Sequence, residues 1–390
     1  MTEVVIAGIG QVPVGEHWEI SLRSLAARAI LAARHEAGDL EPQAMFIGNM
    51  LATTLSHQAN LGALLTDNTG LRGIEGTTVE AAGASGGAAL RMGYLAVASG
   101  MVDTALVVGV EKFTDMVGPE VEAALAQTTD SDYEAVHGVT PTTQAALLMQ
   151  RYLCDYGVAR QAFAGFSITA HANAVANPNA MYRKAISAEA YEKAEVVCDP
   201  LNLFDVAPYA DGAAALLLTS LEHVPAGFDH PLVRISGSSI VTDTLALHDR
   251  QDLLAWYAAG FSVERACRQA GILPTDVDLF EYFDAYSIYA ALSLEAAGFA
   301  RRGLGWQMAV DGQIGLKGKV PGATMGGLKA RGNPGGAAGV YQAVEAVLQL
   351  RGEAGKSQVP GARLALVQCL GGPASTAVTH VLERVGSATH

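Results

Sequence analysis

Cysteine is scarce in this chain of 390 residues, and the four that occur, Cys154, Cys198, Cys267 and Cys369, stand far apart with no C-x-x-C pair among them. That spacing argues against a disulfide framework and against a zinc site, and leaves reduced thiols as the ordinary reading. Aromatic residues make up only 6% of the sequence. No apolar run reaches the ~20 residues that a membrane-crossing helix needs. Cations are few as well: 25 Lys and Arg against 39 Asp and Glu leave a net charge of −14, and no stretch is rich in Lys or Arg. Phosphate-backbone binding requires clustered cations, so nucleic acid is not an expected partner, and the acidic excess serves solubility. No basic segment precedes the first apolar run, Val4-Val5-Ile6, so a strand and not a targeting segment is expected there, in a cytoplasmic protein.

What the sequence has in quantity is small apolar residue: half of it is hydrophobic and 43 residues are glycine. This composition suits helices packed closely on sheets. The same order of elements is written twice. Val4–Gly10 and Leu232–Gly237 read as strands, and helical spacing follows each, over Leu22–Glu36 and Leu253–Ala270. Short apolar runs come next, Ala44–Ile47 and Val277–Phe280. Then Gly83-Ala84-Ser85-Gly86-Gly87-Ala88-Ala89 opens one helix and Asn333-Pro334-Gly335-Gly336-Ala337-Ala338-Gly339 another, each feeding a strand, Thr104–Val110 and Arg363–Gln368. Two facing α/β halves with the glycine-opened helices buried between them account for this order. The expected halves are residues 1–112 with 204–230, and 231–390, with 113–203 as a covering excursion from the first.

Several motifs resemble the thiolase superfamily: Ser85-Gly86-Gly87-Ala88-Ala89, Gly109-Val110-Glu111-Lys112, Asn173-Ala174 with Asn177-Pro178, Asp211-Gly212-Ala213-Ala214, Gly326-Gly327-Leu328-Lys329-Ala330-Arg331-Gly332 and Gly371-Gly372. The likeness runs nearly end to end and is nearest to the archaeal and bacterial branch related to thiolases linked to sterol carrier protein. It implies a five-layered α/β sandwich of two βαβαβαββ halves, and chemistry at a carbon–carbon bond beside a coenzyme A thioester. In the family, a cysteine thiolate takes the acyl group, donors hold the thioester oxygen, and a base moves the α-proton.

The loops that supply these groups depart from the family pattern. Gly83 stands where the nucleophilic cysteine is expected, and glycine cannot attack a thioester. Ser85 is two residues on but belongs to the ordinary motif. Phe283-Asp284-Ala285-Tyr286 replaces a loop that usually begins with Asn or His, so Phe283 marks a lost donor. Gly332-Asn333-Pro334 replaces G-H-P; Asn333 can donate through its amide but cannot shuttle protons. Cys369-Leu370-Gly371 keeps the C-x-G pattern, with Cys369 either a base or a small buried residue. The candidate site residues are therefore Cys369, Asn333, Asp284 and Tyr286, with Arg183, Lys184 and Ser85 as weaker contacts for coenzyme A. Gly8-Ile9-Gly10 lacks the third glycine of a dinucleotide loop. His248-Asp249-Arg250 and Asp211 read as structural, while His137 and His171 lie in the covering segment.

Three functions follow from the resemblance. The chain could bind an acyl-coenzyme A and cleave a carbon–carbon bond without a covalent intermediate, by retro-aldol cleavage or decarboxylation. It could be a non-catalytic subunit beside an active thiolase or an OB-fold zinc-ribbon protein. The family's label, acetyl-CoA C-acyltransferase, is the third. A homodimer or larger assembly through Thr53–Gly73 is expected by the same analogy, with no metal.

Overall fold

The computed structural model describes residues 2–385. Its strands are β1 (Val4–Gln11), β2 (Ala44–Gly48), β3 (Glu75–Val79), β4 (Thr104–Glu111), β5 (Val196–Cys198), β6 (Leu201–Asn202), β7 (Gly212–Ser220), β8 (Val233–Thr242), β9 (Leu279–Glu281), β10 (Leu364–Gly371) and β11 (Thr376–Arg384). Apart from the small β5–β6 hairpin they hydrogen-bond in the order β3-β2-β4-β7-β1-β8-β11-β10-β9. The two halves of that order mirror each other about the β1–β8 seam. The seam itself is short, pairing only Val5 with Arg234 and Ile6 with Val233. Within each half the early strands run parallel, β2 with β3 and β4 and β9 with β10, and the last returns antiparallel. The duplication is imperfect at one place. The second half replaces the counterpart of β3 with a single bridge between Phe280 and Gly322.

Alternation along the strands builds the layers. In β4 and β7, Ala105, Val107, Ala214, Leu216 and Leu218 face the interior with the helices Ser85–Ala98 and Ala338–Arg351. Their neighbours Leu106, Val108, Val110, Ala213, Ala215 and Leu217 face outward, under the helix Leu22–Glu36. A period of two gives each strand two buried faces, which is why these runs are apolar throughout. The outer helix starts at Ser21, whose hydroxyl accepts the Ser24 N–H. On the second half, Tyr257–Ala270 packs on β8 and β11 in the same way. It begins four residues later than the apolar spacing suggested. Leu254 and Trp256 are buried, but in a turn held by the Asp252 carboxylate, which accepts the Leu254 N–H.

The two central helices touch through backbone. A Cβ on Gly86 would lie 2.9 Å from the Gly336 carbonyl, and one on Gly339 would lie 2.5 Å from the Gly87 nitrogen. Only glycine permits that approach. No helix among the described residues is long and apolar enough to cross a membrane.

Candidate active site

The first turns of the two central helices face each other, and the loops before them carry the expected site. Gly83 sits in a 3₁₀ turn (Ala82–Ala84) leading into Ser85–Ala98. Asn333 lies just before the second helix. Its backbone pairs with the segment leading to β7, donating to the Pro208 carbonyl at 2.8 Å and accepting from Ala210 N–H at 3.1 Å. Together with Met50, Tyr209, Phe283, Tyr286, Tyr289 and Leu370, these residues line a cavity of about 40 Å³.

The environment at Gly83 is closed. A Cβ built there would stand 2.7 Å from the Leu370 carbonyl oxygen and 2.8 Å from Cζ of Phe283. The phenyl ring fills the space beside the backbone where a side chain would begin. Asn333 uses Oδ1 to accept the Gly335 N–H at 3.1 Å. That bond leaves the amide Nδ2–H₂ as the group free to donate into the cavity. Around it stand three phenols. Tyr286 shares a 3.0 Å hydrogen bond with the Thr142 hydroxyl, and Tyr209 lines the cavity beside it. Burial pushes the Tyr286 pKa up to about 12 and holds Tyr209 and Tyr289 well above the ordinary phenol value. The Tyr289 hydroxyl is buried without a partner. All three are neutral donors near neutral pH.

Three expected site residues face elsewhere. The Cys369 thiol projects between the central helices, 3.6 Å from the Ala84 carbonyl, and a Cβ on Gly87 would meet its sulfur. Burial raises it to about 12, so it is neither accessible nor ionised, and its neighbour Leu370 is what reaches the cavity. Successive strand residues point to opposite faces, so Cys369 and Leu370 cannot both line it. Asp284 accepts the Leu328 N–H at 2.7 Å and is 1% exposed. It belongs to a buried ionic cluster with Glu281, Lys329, Arg331 and Glu345, in which Arg331 pairs with Glu345 at 3.0 Å and lies 5.0 Å from the centre of the Tyr341 ring. Burial drives all three carboxyls upward. The cluster fixes the loop that presents Asn333. Ser85 is fully buried, donating to the Ala82 carbonyl and accepting the Ala81 N–H, so it shapes the turn at Gly83 and offers nothing to a ligand.

Glu111, at the end of β4, lies outside the candidate site residues yet ties the site together. Its carboxylate accepts from Met50 N–H (2.9 Å), Leu51 N–H (3.1 Å), Gly336 N–H (3.1 Å) and Asn49 Nδ2 (2.9 Å). Those partners come from both halves. No cation lies within ion-pair distance among the described residues, and burial lifts its pKa to about 7 against the pull of the four donors. An acid closing a strand that is apolar from Ala105 to Val110 is the signal in the sequence. Asp211 is structural as read, accepting from the backbone of His17, Phe113 and Thr114 and pairing with Lys112 at 3.2 Å.

A second recess of about 400 Å³ lies behind the segment Val206–Tyr209. Val206, Ala207 and Pro208 line it, while Tyr209 lines the cavity. Its other walls are His171, Tyr182, Val197, Leu203, Phe204 and Lys329. Lys329 donates to the carbonyls of Phe204 (3.2 Å) and Asp205 (2.8 Å), and burial lowers its pKa to about 8. Arg183 and Lys184 are exposed, next in sequence to Tyr182, and the Lys184 carbonyl meets His171 Nδ1 at 3.2 Å. They lie at this recess and do not line the cavity at Gly83. His137 is exposed and lines neither. His248 is half-exposed against the Tyr133 ring, and Arg250 ties Thr244 to Pro373 through their carbonyls.

The chain matches two family descriptions in sequence, "Thiolase, N-terminal domain" over residues 4–222 and "Thiolase C-terminal domain-like" over residues 239–384. It belongs to the thiolase family. An acetyl-CoA acetyltransferase of Methanothermobacter thermautotrophicus is 40% identical over 98% of this chain and 100% of that protein. The benzoylsuccinyl-CoA thiolase subunit BbsB of Thauera aromatica is 30% identical over 95% of each. Among solved structures, the chain titled Ltp2-ChsH2(DUF35) aldolase superposes with a TM-score of 0.84 at 24% identity over 98% of both chains, a likeness of fold. The thiolase fold expected from the motifs is the fold observed.

Proposed function

We propose that this thiolase-family chain binds a short acyl-coenzyme A ester with its thioester carbonyl at Asn333 and acts on it without a covalent acyl-enzyme, by decarboxylation. One observation carries the reading: the polar side chains that line the otherwise apolar cavity are all neutral hydrogen-bond donors, and its lining includes no thiol, carboxylate or imidazole. Decarboxylation of a 2-carboxyacyl thioester breaks the bond to CO₂ and leaves the electron pair as a thioester enolate. Asn333 Nδ2 and a phenol are donors for that oxygen. The enolate carbon then needs a proton, and Tyr286, kept protonated by burial and hydrogen-bonded to Thr142, is a phenol able to give one. Retro-aldol cleavage would instead require a base for the β-hydroxyl proton, and phenols held above their ordinary range do not supply one near neutral pH. The small volume favours a short acyl group, since one water already needs roughly 10–15 Å³. The pantetheine arm would lie in the 400 Å³ recess, with the phosphates toward Arg183 and Lys184.

A second reading has its own support. The Phe283 ring against Gly83 leaves little room at the reacting centre, which favours a non-catalytic subunit that works beside an active thiolase or an OB-fold zinc-ribbon protein. The relative BbsB is itself titled a subunit. Acyl transfer, the activity in the name of the 40% identical relative, would need a nucleophile that the cavity lining lacks.

Calorimetric titration with coenzyme A and acetyl-CoA, followed by incubation with malonyl-CoA without added thiol, separates these readings. Micromolar binding and release of acetyl-CoA and CO₂ are expected, with Asn333→Ala slowing turnover about 10²-fold while binding changes little. Binding without turnover would leave the subunit reading. Absence of binding would defeat the ligand site, and thiolysis of acetoacetyl-CoA by the unaltered protein would reinstate acyl transfer.

A further inference from the structure

The arginines of this acidic chain are not spread evenly. Arg91, Arg265 and Arg268 line one recess of about 350 Å³, with Ser239, Ile240 and Gln269 completing the wall and no acid among them. The recess lies where β8 outruns its neighbour across the seam. β1 begins at Val4 and pairs with β8 only at Val5–Arg234 and Ile6–Val233, so the edge of β8 at Ser238 meets side chains instead of a strand. Arg91 reaches it from the central helix, donating from Nη1 to the Ser238 carbonyl at 2.5 Å and to its hydroxyl at 3.2 Å. Gln269 covers the adjacent group, its Oε1 accepting the Ser238 N–H at 2.8 Å. That bond turns the amide Nε2–H₂ outward as a donor.

The recess therefore presents donors and positive charge with little to balance them. Among the described residues no carboxylate lies within ion-pair distance of Arg91 or Arg265, and only Arg268 has a partner, Glu264 on its own helix. Arg91 is partly buried, and the loss of water lowers its pKa, as expected for a cation without a counter-charge. A guanidinium fork matches two oxygens of a phosphate group, and three forks around one concavity match a compact ligand with more than one anionic group. We propose that this seam recess is a binding site for a small polyanion of the diphosphate class, held by Arg91, Arg265 and Arg268 with Gln269 and Ser239 as neutral donors. Because Arg91 grows from the helix that begins at Ser85, beside Gly83, occupancy would act on the helix that shapes the acyl cavity. The site is separate from the one proposed for acyl-coenzyme A, whose lining precedes that helix at Ala82 and Gly83 and shares no residue with the recess.

Inorganic pyrophosphate is the probe, titrated by calorimetry into the full chain at low ionic strength, with sulfate and acetyl-CoA run in parallel. One-to-one binding is expected, weakened at least tenfold by Arg265→Ala and by Arg91→Met, with sulfate weaker than pyrophosphate and acetyl-CoA affinity within twofold in Arg265→Ala. Arg265 is exposed and forms no side-chain hydrogen bond or ion pair among the described residues, so Arg265→Ala is expected to fold and the test stands even where Arg91→Met fails to fold. No saturable pyrophosphate binding, binding that Arg265→Ala leaves unchanged, or competition by acetyl-CoA for the same site would each overturn the assignment. Failure of acetyl-CoA to bind while pyrophosphate binds at Arg265 would count against the acyl-coenzyme A reading alone.

Discussion

Gly83 and Phe283 are best understood as a pair. With 2.7 Å to the Leu370 carbonyl and 2.8 Å to the Phe283 ring, a Cβ at residue 83 meets one neighbour fixed by backbone and one that is a side chain. Gly83→Ala should cost about 1–3 kcal/mol, the usual range for overpacking a filled site. Adding Phe283→Ala removes the ring but not the carbonyl, so the double variant should do better than the two losses summed. Denaturant melts of the four proteins read the coupling directly. A neutral Gly83→Ala would mean that the ring moves easily, and the cavity would then be larger in solution than 40 Å³ suggests. The identity of Gly83 was legible in the sequence; its enclosure by Phe283 was not, because the two are 200 residues apart and meet only through the fold.

At the scale of elements, Glu111 is the tie between the β4 end, the turn at Met50 and the start of the second central helix. Burial raises its carboxyl from an ordinary 4.5 to about 7, so the folded chain holds this proton where the unfolded chain has released it. Stability from this group is therefore full below about 4.5 and falls as pH rises toward 7, by roughly 3 kcal/mol at most. Glu281 and Glu345 are shifted the same way, so the group is isolated by difference. Glu111→Gln should lose about 1–3 kcal/mol at pH 5, because an amide places donors against N–H groups that need acceptors. It should also show a shallower fall in stability between pH 4.5 and 7 than the unaltered chain. Parallel slopes in urea titrations across that range would remove Glu111 as the cause.

The elements also divide into those that sequence patterns define and those they do not. Helix Leu22–Glu36 has the bounds its spacing gave, and β1 and β4 differ from theirs by one residue, since a regular face was being buried. The apolar spacing sets the start of the helix at Tyr257 four residues early, because Leu253, Leu254 and Trp256 continue the apolar pattern through a turn. Local spacing reports burial, not the hydrogen bonds that end a helix. For the site, Asn333 and Tyr286 both line the cavity. Cys369 and Asp284 do not, because strand alternation and the ionic cluster turn them inward. Facing is decided by tertiary partners that a motif does not contain.

At the scale of the whole molecule, the two edges of the nine-stranded sheet differ. β9, at one end, is buried along its length. β3, at the other, is exposed at Glu75 through Thr78 and partly exposed at Val79. A bare strand edge presents unpaired N–H and C=O groups, and proteins seldom leave one uncovered. The surroundings of β3 carry further signs of a surface built for contact. Helix Ser85–Ala98, which touches β3, leaves Met92 and Leu95 exposed, and the nearby loop holds His57 and Asn60 at positive φ of 51° and 54°. Strained backbone of that kind persists where a structure uses it. The edge therefore predicts a two-fold dimer in which β3 of one protomer pairs antiparallel with β3 of its partner, the closed arrangement that a self-complementary edge favours. Light scattering at micromolar concentration should give twice the chain mass. Thr77→Asp, which sets like charges across the axis while leaving the buried face of the sheet untouched, should weaken association at least tenfold. A clean monomer for the unaltered chain would reject the dimer, and a dimer indifferent to Thr77→Asp would move the interface away from β3.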